Sequence, residues 1–177
     1  MAGKREKVLE KFIRLHGWKN GAELGVWKGR TFKHLLNTFD DLRMIGVDLY
    51  SAQPSSSGPE KWVAGENGHE WDHDRYYREL MEFCKSKNGR GVIIRDYTFN
   101  AVKMVEDASL DFVFIDADHS YDAVKKDIED WDKKVRAGGI VFGHDIDWPS
   151  VKLAVEEKYG KLYVTEEDNV WYHEKKF

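Results

Sequence analysis

The sequence predicts an α/β fold in which a doubly wound, mostly parallel sheet is followed by a C-terminal antiparallel hairpin. Short apolar runs suited to buried strands alternate with segments of helical periodicity along the chain. Acidic or histidine side chains directly follow several of these runs, and open α/β sheets bind ligands beyond the carboxyl ends of their strands. One irregular segment, 49–72, interrupts the alternation.

The first half of the chain predicts an amphipathic helix and two strands. The helix spans about 4–16, with its apolar residues on one side. Ala22–Val26 forms the first strand, and Thr31 begins the helix that follows it. Met44–Val47 forms the second strand, with Asp48 at its end.

Segment 49–72 contains the run SAQPSSSGPEKW and has the composition of a loop. Long irregular insertions often act as lids over a site, and we expect this one to be mobile without a ligand. Aromatic residues cluster in and after it and would line a ligand pocket: Trp62, Trp71, Tyr76 and Tyr77. Core packing explains the two tyrosines equally well.

The second half predicts three further strands. A helix over 73–87 precedes the third strand, Gly91–Ile94, and Thr98 begins a short helix after it. Phe112–Ile115 is an apolar run suited to a strand buried on both faces.

The helix after the fourth strand is predicted to begin at Ser120 and to continue past Val135, where Gly138 and Gly139 end it. Ile140–Phe142 is then the fifth strand. Pro149 starts a last helix that ends at Gly160, and residues 162–172 form the hairpin. The connections between parallel strands are expected to be right-handed.

Composition limits the class of protein. The 177 residues suffice for a single domain, 1–177, and 41% of them are hydrophobic. A mean hydropathy of −0.66 and the absence of a long apolar run argue against a membrane protein or a signal peptide. With a net charge of −4 and dispersed basic residues, nucleic acid binding is not expected. We therefore expect a cytoplasmic protein that acts on a small molecule.

The single cysteine, Cys84, excludes an internal disulfide and a cysteine zinc cage. It lies at helical spacing from Leu80, which predicts a core position and not a nucleophile.

The turn after the first strand combines an acid with two glycines. Gly25 and Gly29 let the backbone approach a ligand, and the helix that Thr31 begins offers free N–H groups. This is not the dinucleotide motif G-x-G-x-x-G, which requires glycine where Trp27 stands. Glu23 is placed to meet a cationic ligand group, with a structural cap or ion pair as the alternative.

Two further acids end strands. Asp48 lies where an acid accepts hydrogen bonds from ribose hydroxyls, although an ordinary turn aspartate would also fit. Asp96 can accept a hydrogen bond from an exocyclic amine while Tyr97 stacks on a base. Helix capping by Asp96 or Thr98 is as good an explanation.

The fourth and fifth strands end in acids and imidazoles that should share one crevice. Asp116, Asp118 and His119 follow one strand, and His144 and Asp145 follow the next. A histidine is suited to deprotonating a hydroxyl near neutral pH, so His119 is a candidate general base, with Asp118 as an alternative. An inert local capping role explains this histidine equally well.

Together these motifs resemble class I S-adenosylmethionine-dependent methyltransferases. The resemblance spans about 18–146 and is closest to the small-molecule O-methyltransferases that include sugar and macrolide methyltransferases. It rests on AELGVWKGRT, the strand-end Asp48, and IDADHSYDAVKKDIEDW followed by GGIVFGHD. It implies a Rossmann-like sheet and S-adenosyl-L-methionine as cofactor.

In that family the first motif holds the methionine moiety, the acid after the second strand holds the ribose, and the residues after the third strand hold adenine. The candidate cofactor-binding residues are accordingly Glu23, Gly25, Gly29, Thr31, Asp48, Asp96, Tyr97 and Asp116.

Many members of the family bind a divalent cation at the ends of the fourth and fifth strands, which here implies Asp116, His144 and Asp145 as ligands. Mg²⁺ prefers carboxylate oxygens, whereas the imidazole also suits Mn²⁺ or Fe²⁺. A hydrogen bond between His144 and Asp145 is the alternative. The candidate catalytic residues are His119, Asp116 and His144.

The leading hypothesis is an O-methyltransferase acting on a hydroxyl of a sugar, phenol or macrolide. Two other hypotheses keep the fold: a non-heme iron hydroxylase-like protein of antibiotic pathways, and a catalytically silent protein that binds S-adenosylmethionine. The 49–72 segment or a second copy of the chain in a homodimer would complete the acceptor site.

Overall fold

The structure is a computed structural model, which describes residues 3–51, 72–160, 163–165 and 168–176. Its strands are β1 Asn20–Leu24, β2 Arg43–Asp48, β3 Gly91–Arg95, β4 Leu110–Ile115, β5 Val135–Gly143, β6 Tyr163–Val164 and β7 Trp171–Glu174. Its α-helices are α1 Lys4–His16, α2 Arg30–Thr38, α3 His73–Lys85, α4 Thr98–Ala101, α5 Tyr121–Trp131 and α6 Pro149–Tyr159. Short 3₁₀ turns follow α4 at Val102–Met104 and α5 at Asp132–Lys134.

The strands form one seven-stranded sheet in the order β3-β2-β1-β4-β5-β7-β6. The strands β1 to β5 are parallel to their neighbours, β7 is antiparallel to β5, and β6 is antiparallel to β7. The predicted doubly wound, mostly parallel sheet with its C-terminal hairpin is therefore confirmed. None of the helices described is both long and apolar enough to cross a membrane.

Helices cover both faces of the sheet because the central strands are apolar on both sides. All six residues of β4 are buried. Phe112 and Phe114 pack into the core that α1, α2 and α3 share, whereas Val113 and Ile115 pack into the core under α5 and α6. This alternation follows from the two-residue period of a strand, and the continuous apolar run is typical of a buried parallel strand.

The fifth strand starts earlier than the sequence predicted. The predicted helix through Val135 is wrong, because α5 ends at Trp131 and Val135 already begins β5. Gly138 and Gly139 lie inside this strand and do not end a helix. The register shifts between Leu110 and Phe112 of β4, and a Cβ at Gly139 would lie only 2.4 Å from the carbonyl oxygen of Asp111.

Other boundaries move by one or two residues: β1 ends at Leu24, α2 begins at Arg30 and α3 ends at Lys85. Cys84 is buried in the core, as predicted. Most of the predicted lid 49–72, including Trp62 and Trp71, lies outside the described residues.

Buried Asp127 joins α5 to α4. Thr98 donates a hydrogen bond from its hydroxyl to the Asp127 carboxylate at 2.5 Å, and the indole N–H of Trp131 donates to the carbonyl oxygen of Thr98. Burial raises the pKa of Asp127 to about 7, even though the Thr98 hydrogen bond opposes the shift. The folded protein therefore retains a proton on Asp127 that the unfolded chain loses near pH 4.

This raised pKa predicts a pH-dependent effect of Asp127→Asn. Wild-type stability should fall as the pH rises from about 4 to about 7, since only the unfolded state releases the proton over that window. The substitution removes this penalty. Its effect on the free energy of unfolding should thus be about 3 kcal/mol more favourable at pH 8 than at pH 5, because the interval from pH 5 to the folded pKa spans about two pKa units.

Urea unfolding at the two pH values measures the difference. Asp122→Asn, at an exposed position in the first turn of the same helix, is the matched control and should show almost no pH-dependent change. An equal effect of Asp127→Asn at both pH values would contradict the prediction.

Candidate functional site

The carboxyl ends of β1, β4 and β5 meet at one edge of the sheet. The backbone N–H of Asp116 donates to the carbonyl oxygen of Leu24, and that of His144 donates to Ile115. These hydrogen bonds continue the strand pairing by one residue and hold the polar residues in register. The side chains that follow these strands in the sequence therefore lie close together at this edge.

Three of the predicted residues converge as a possible metal site. Ligand-capable atoms of Asp116, His144 and Asp145 all lie within 4.8 Å of one another. Nδ1 of His144 is 2.9 Å from Oδ1 of Asp145 and 3.6 Å from Oδ1 of Asp116. The side chain of His144 is almost fully buried, with 9% exposed. The predicted proximity of these three groups is thus observed.

His119 lies against the same two carboxylates. Its Nε2 is 2.8 Å from Oδ2 of Asp145 and 3.7 Å from Oδ1 of Asp116, and its ring packs on Trp148. Among the described residues, neither this nitrogen nor the two ring nitrogens of His144 have a well-oriented hydrogen-bond partner, although all three are buried. Buried donors and acceptors normally have partners. Imidazole nitrogens and carboxylate oxygens are also ligand types that a divalent transition-metal ion accepts.

The histidines and carboxylates of this cluster shift one another's pKa values. Burial lowers the pKa of His119, but the adjacent carboxylates of Asp116 and Asp145 outweigh it and raise the pKa to about 9. Burial also opposes the charged form of Asp145, yet its contacts with His119 and His144 hold its pKa below the usual range. In this arrangement His119 carries a proton at neutral pH. It would act as a base only if a cation or an acceptor engaged the carboxylates.

Sequence reasoning missed two residues of this cluster, Arg5 and Asp168. Nη1 of Arg5 is 2.5 Å from Oδ2 of Asp116, and its Nε is 3.3 Å from Oδ2 of Asp168. Asp168 also lies 3.7 Å from Nε2 of His144. Their local sequence gives no signal beyond their position: Arg5 lies near the start of an amphipathic helix, and Asp168 follows two glutamates near the hairpin turn.

Two aspartates in the cluster have unusual backbone geometry. Asp145 and Asp168 have φ values of 54° and 64°, in the left-handed region that residues with a Cβ rarely occupy. Such geometry costs energy and tends to occur at functional sites. The backbone N–H of Trp148 donates to the carbonyl oxygen of Asp145, which fixes the turn after β5.

The predicted glycines of the first loop are required by the fold itself. Gly25 has φ +83°, and a Cβ there would lie 2.1 Å from the carbonyl oxygen of Asp116. At Gly29, which has φ +74°, a Cβ would lie 2.7 Å from Leu80 of α3. The loop therefore packs tightly on the end of β4 and on a neighbouring helix, independently of any ligand.

Glu23 is buried and has an oxygen, Oε2, without a hydrogen-bond partner among the described residues. Burial raises its pKa well above the usual range, and the nearby charge of Asp116 adds to the shift. Thr31, in the first turn of α2, is also buried. An unpartnered buried carboxyl is costly, so Glu23 is suited to receive a cationic group of a ligand.

The acids after β2 and β3 make local hydrogen bonds. Asp48 accepts from the backbone N–H groups of Trp27 and Tyr50, both at 2.7 Å. A carboxylate has about four acceptor positions, so this leaves capacity for ribose hydroxyls. Asp96 accepts from the backbone N–H of Tyr97 and from the side chain of Asn100, whereas the helix that begins at Thr98 has no side-chain cap hydrogen bond at its N-cap residue.

Several aromatic rings lie along this edge. Tyr97 is 44% exposed and stacks on Phe99, so one of its faces remains available to a base. Tyr76 and Tyr77 are partly buried and pack against the core, which favours the packing interpretation of these residues.

A family model described as a methyltransferase domain matches residues 22–146 of the chain. This range holds all of the candidate cofactor, metal and catalytic residues predicted from the sequence. None of the curated proteins compared with the chain is similar enough to count as a relative.

Solved structures share the fold at low sequence identity. The calicheamicin methyltransferase CalS11 superposes with a TM-score of 0.69 and 16% identity, covering 96% of this chain and 77% of its own. The O-methyltransferase NovP gives 0.67 and 16%, with coverages of 98% and 80%. An O-methyltransferase from Bacillus cereus, solved in complex with SAH, gives 0.65 and 16%, with coverages of 97% and 80%. The resemblance to class I methyltransferases inferred from the sequence is thereby confirmed, whereas the hydroxylase-like and silent alternatives gain no support.

The close packing of the first loop predicts a large effect of Gly25→Ala. Gly89→Ala is the matched control, since Gly89 also has positive φ, +75°, but open space around its Cα. The control should lose about 1 kcal/mol of unfolding free energy from the left-handed backbone alone. Gly25→Ala should lose roughly 1–3 kcal/mol more, because the new methyl group collides with the backbone of Asp116.

Guanidinium denaturation of both variants measures this. Equal losses would mean that the loop moves freely away from the end of β4.

Proposed function

The chain belongs to the methyltransferase-domain family, and from that premise we propose that it transfers the methyl group of S-adenosylmethionine to a hydroxyl of a small molecule. Sugars, phenols and macrolides are the acceptor classes that we favour. The cofactor carries an activated methyl group on its sulfonium, so the protein has to align donor and acceptor and to exclude water.

One observation supports this proposal most directly: four neighbouring parallel strands end with acids along one edge of the sheet. Glu23 lies near the end of β1, and Asp48, Asp96 and Asp116 lie at or after the ends of β2, β3 and β4. The order of these strands in the sheet is β3-β2-β1-β4, so the acids form a row. Along this row, Asp96, Asp48 and Glu23 would match, in that order, the purine amine, the ribose and the amino-acid part of one extended ligand.

Each acid has a distinct role in the proposal. Glu23 is buried, and its Oε2 has no hydrogen-bond partner among the described residues. It would receive the ammonium of the methionine moiety, since a buried carboxyl is stabilised by a nearby cation. Asp48 would accept hydrogen bonds from the ribose hydroxyls. Asp96 would accept from the adenine amine, and the open face of Tyr97 would stack on the ring.

The test is calorimetry with S-adenosylmethionine, S-adenosylhomocysteine and NADH. We expect micromolar-class binding of the first two and none of the third. Asp48→Ala should weaken binding by about 1–3 kcal/mol through lost hydrogen bonds to a charged group. Asp41→Ala, at an exposed aspartate just before β2, is the control and should bind like wild type. Binding of NADH alone would contradict the proposal.

We further propose that Asp116, His144 and Asp145 hold a divalent cation. The donor set fits: two carboxylates and one buried imidazole converge within 4.8 Å, and Nε2 of the imidazole has no hydrogen-bond partner among the described residues. Carboxylates suit Mg²⁺, and the imidazole favours Mn²⁺ or Fe²⁺. A cation there would lower the pKa of an acceptor hydroxyl bound to it.

The chain's own groups would share the remaining work. His119 contacts both Asp116 and Asp145, which places an imidazole beside the acceptor position. Once the charge of those carboxylates is engaged, His119 is the candidate group to take the proton of the hydroxyl. His144 would orient Asp145 through their 2.9 Å contact.

Metal removal provides the corresponding prediction. Chelator should abolish methyl transfer, and added Mg²⁺ or Mn²⁺ should restore it. Asp116→Ala and Asp145→Ala should each lose metal-dependent turnover. Asp145→Ala should also leave cofactor affinity largely intact, because Asp145 is not among the candidate cofactor-binding residues. Asp147→Ala, an exposed neighbour of Asp145, is the control and should retain turnover.

Transfer of labelled methyl groups to a panel of sugars, phenols and macrolides would provide the readout. Full activity in chelator would contradict the metal proposal and leave His119 or His144 as the base acting alone.

A further inference from the structure

The start of helix α1 reaches into the cluster at the ends of β4 and β5. Arg5 contacts Asp116 through Nη1 at 2.5 Å and Asp168 through Nε at 3.3 Å. Its guanidinium thus joins the carboxylate that follows β4 to a carboxylate in the turn between β6 and β7. Only 28% of the Arg5 side chain and 16% of the Asp116 side chain are exposed, so solvent screens this contact only partly.

A neighbouring ion pair holds this turn of α1 in place. Glu6, whose side chain is 1% exposed, lies 2.9 Å from Nε of Arg30 at the start of α2. Farther along α1, Leu9 and Ile13 are fully buried in the core. Arg5 is therefore carried by an anchored helix, and its position over the cluster is a property of the fold.

Arg5 and a divalent cation would require the same carboxylate. Asp116 contributes one of the three proposed ligand groups, and the Arg5 contact uses its Oδ2. A unit charge a few ångströms from a doubly charged ion repels it strongly where screening is weak. The cluster contains the carboxylates of Asp116, Asp145 and Asp168. Arg5 contributes a positive charge that, unlike that of a histidine, does not depend on pH, since an arginine does not lose its proton in proteins.

We propose that the Arg5 guanidinium is the resident cation of this cluster and that it competes with the divalent ion for Asp116. Metal binding then requires the guanidinium to withdraw from Asp116, and Asp168 retains it through the second contact. The first turn of α1 thereby sets the metal affinity of the site. This inference rests on the proposed metal site but makes a separate prediction about Arg5.

The test measures Mn²⁺ binding by electron paramagnetic resonance, with the metal alone as the probe. Arg5→Met removes the charge and keeps a side chain of similar length. It should bind Mn²⁺ on the order of tenfold or more tighter than wild type, because a repelling charge next to the ion is lost. Arg5→Lys keeps the charge and should stay within about threefold of wild type.

Arg14→Met is the matched control, since Arg14 lies on the exposed face of the same helix and pairs with Glu10. It should leave Mn²⁺ affinity unchanged. Calorimetry with S-adenosylhomocysteine on each variant, together with thermal unfolding, confirms that the comparison is between folded proteins.

Arg5→Met that binds Mn²⁺ no tighter than wild type, or that binds none, would overturn the competition. The failure of the proposed function has a different signature, in which wild type neither binds S-adenosylhomocysteine nor transfers a methyl group. Methyl transfer that persists while Arg5→Met gains no metal affinity would overturn this inference alone.

Discussion

The pairing of β4 between β1 and β5 is the constraint on which the site depends. All six residues of β4 are buried, with alternate side chains in the two cores, so the strand has no freedom to shift by one residue. Its hydrogen bonds to the neighbouring strands continue to Asp116 and His144. Apolar packing along six residues therefore decides where the charged groups beyond the strand are placed. The close contact between Gly25 and the backbone of Asp116 adds the first loop to the same fixed arrangement.

Bringing acids to one edge has an electrostatic cost, and the structure offsets it in different ways along the edge. Asp48 and Asp96 accept hydrogen bonds from nearby N–H groups. Asp116 lies against Arg5, and Asp145 lies against two histidines. Oε2 of Glu23 has no hydrogen-bond partner among the described residues, and burial raises its pKa although the charge of Arg5 opposes the shift. The least compensated acid is thus the one best suited to a cationic ligand group, and this supports its proposed role.

The sequence predicted the parts of the site that follow from local pattern. The apolar run of β4 is short, and acids and a segment of helical periodicity follow it directly, which is typical of a buried strand. The ends of β4 and β5 could therefore be located from the sequence, and Asp116, His144 and Asp145 could be placed together. The start of β5 was missed because Gly138 and Gly139 resemble a helix end, whereas they serve a bulge beside Asp111. Arg5 and Asp168 were missed for a different reason. Their partners are distant in sequence, and neither an arginine in a basic helix nor an aspartate in an acidic turn differs locally from a solvated surface residue.

The histidine at 144 provides a chemical reason for the proposed competition between Arg5 and a divalent ion. A third carboxylate there would increase the attraction for a divalent ion well beyond that for a guanidinium, since the doubly charged ion gains more from each added negative charge. A neutral imidazole instead contributes a lone pair without charge, which reduces this difference and moves the preference towards Mn²⁺ or Fe²⁺. With two carboxylates and one imidazole as ligands, the guanidinium of Arg5, held by an anchored helix, can compete with a divalent ion for Asp116. The residue type at 144 and the contact of Arg5 with Asp116 would therefore both lower the affinity of the site for a divalent ion, the first by omitting a negative charge and the second by adding a positive one.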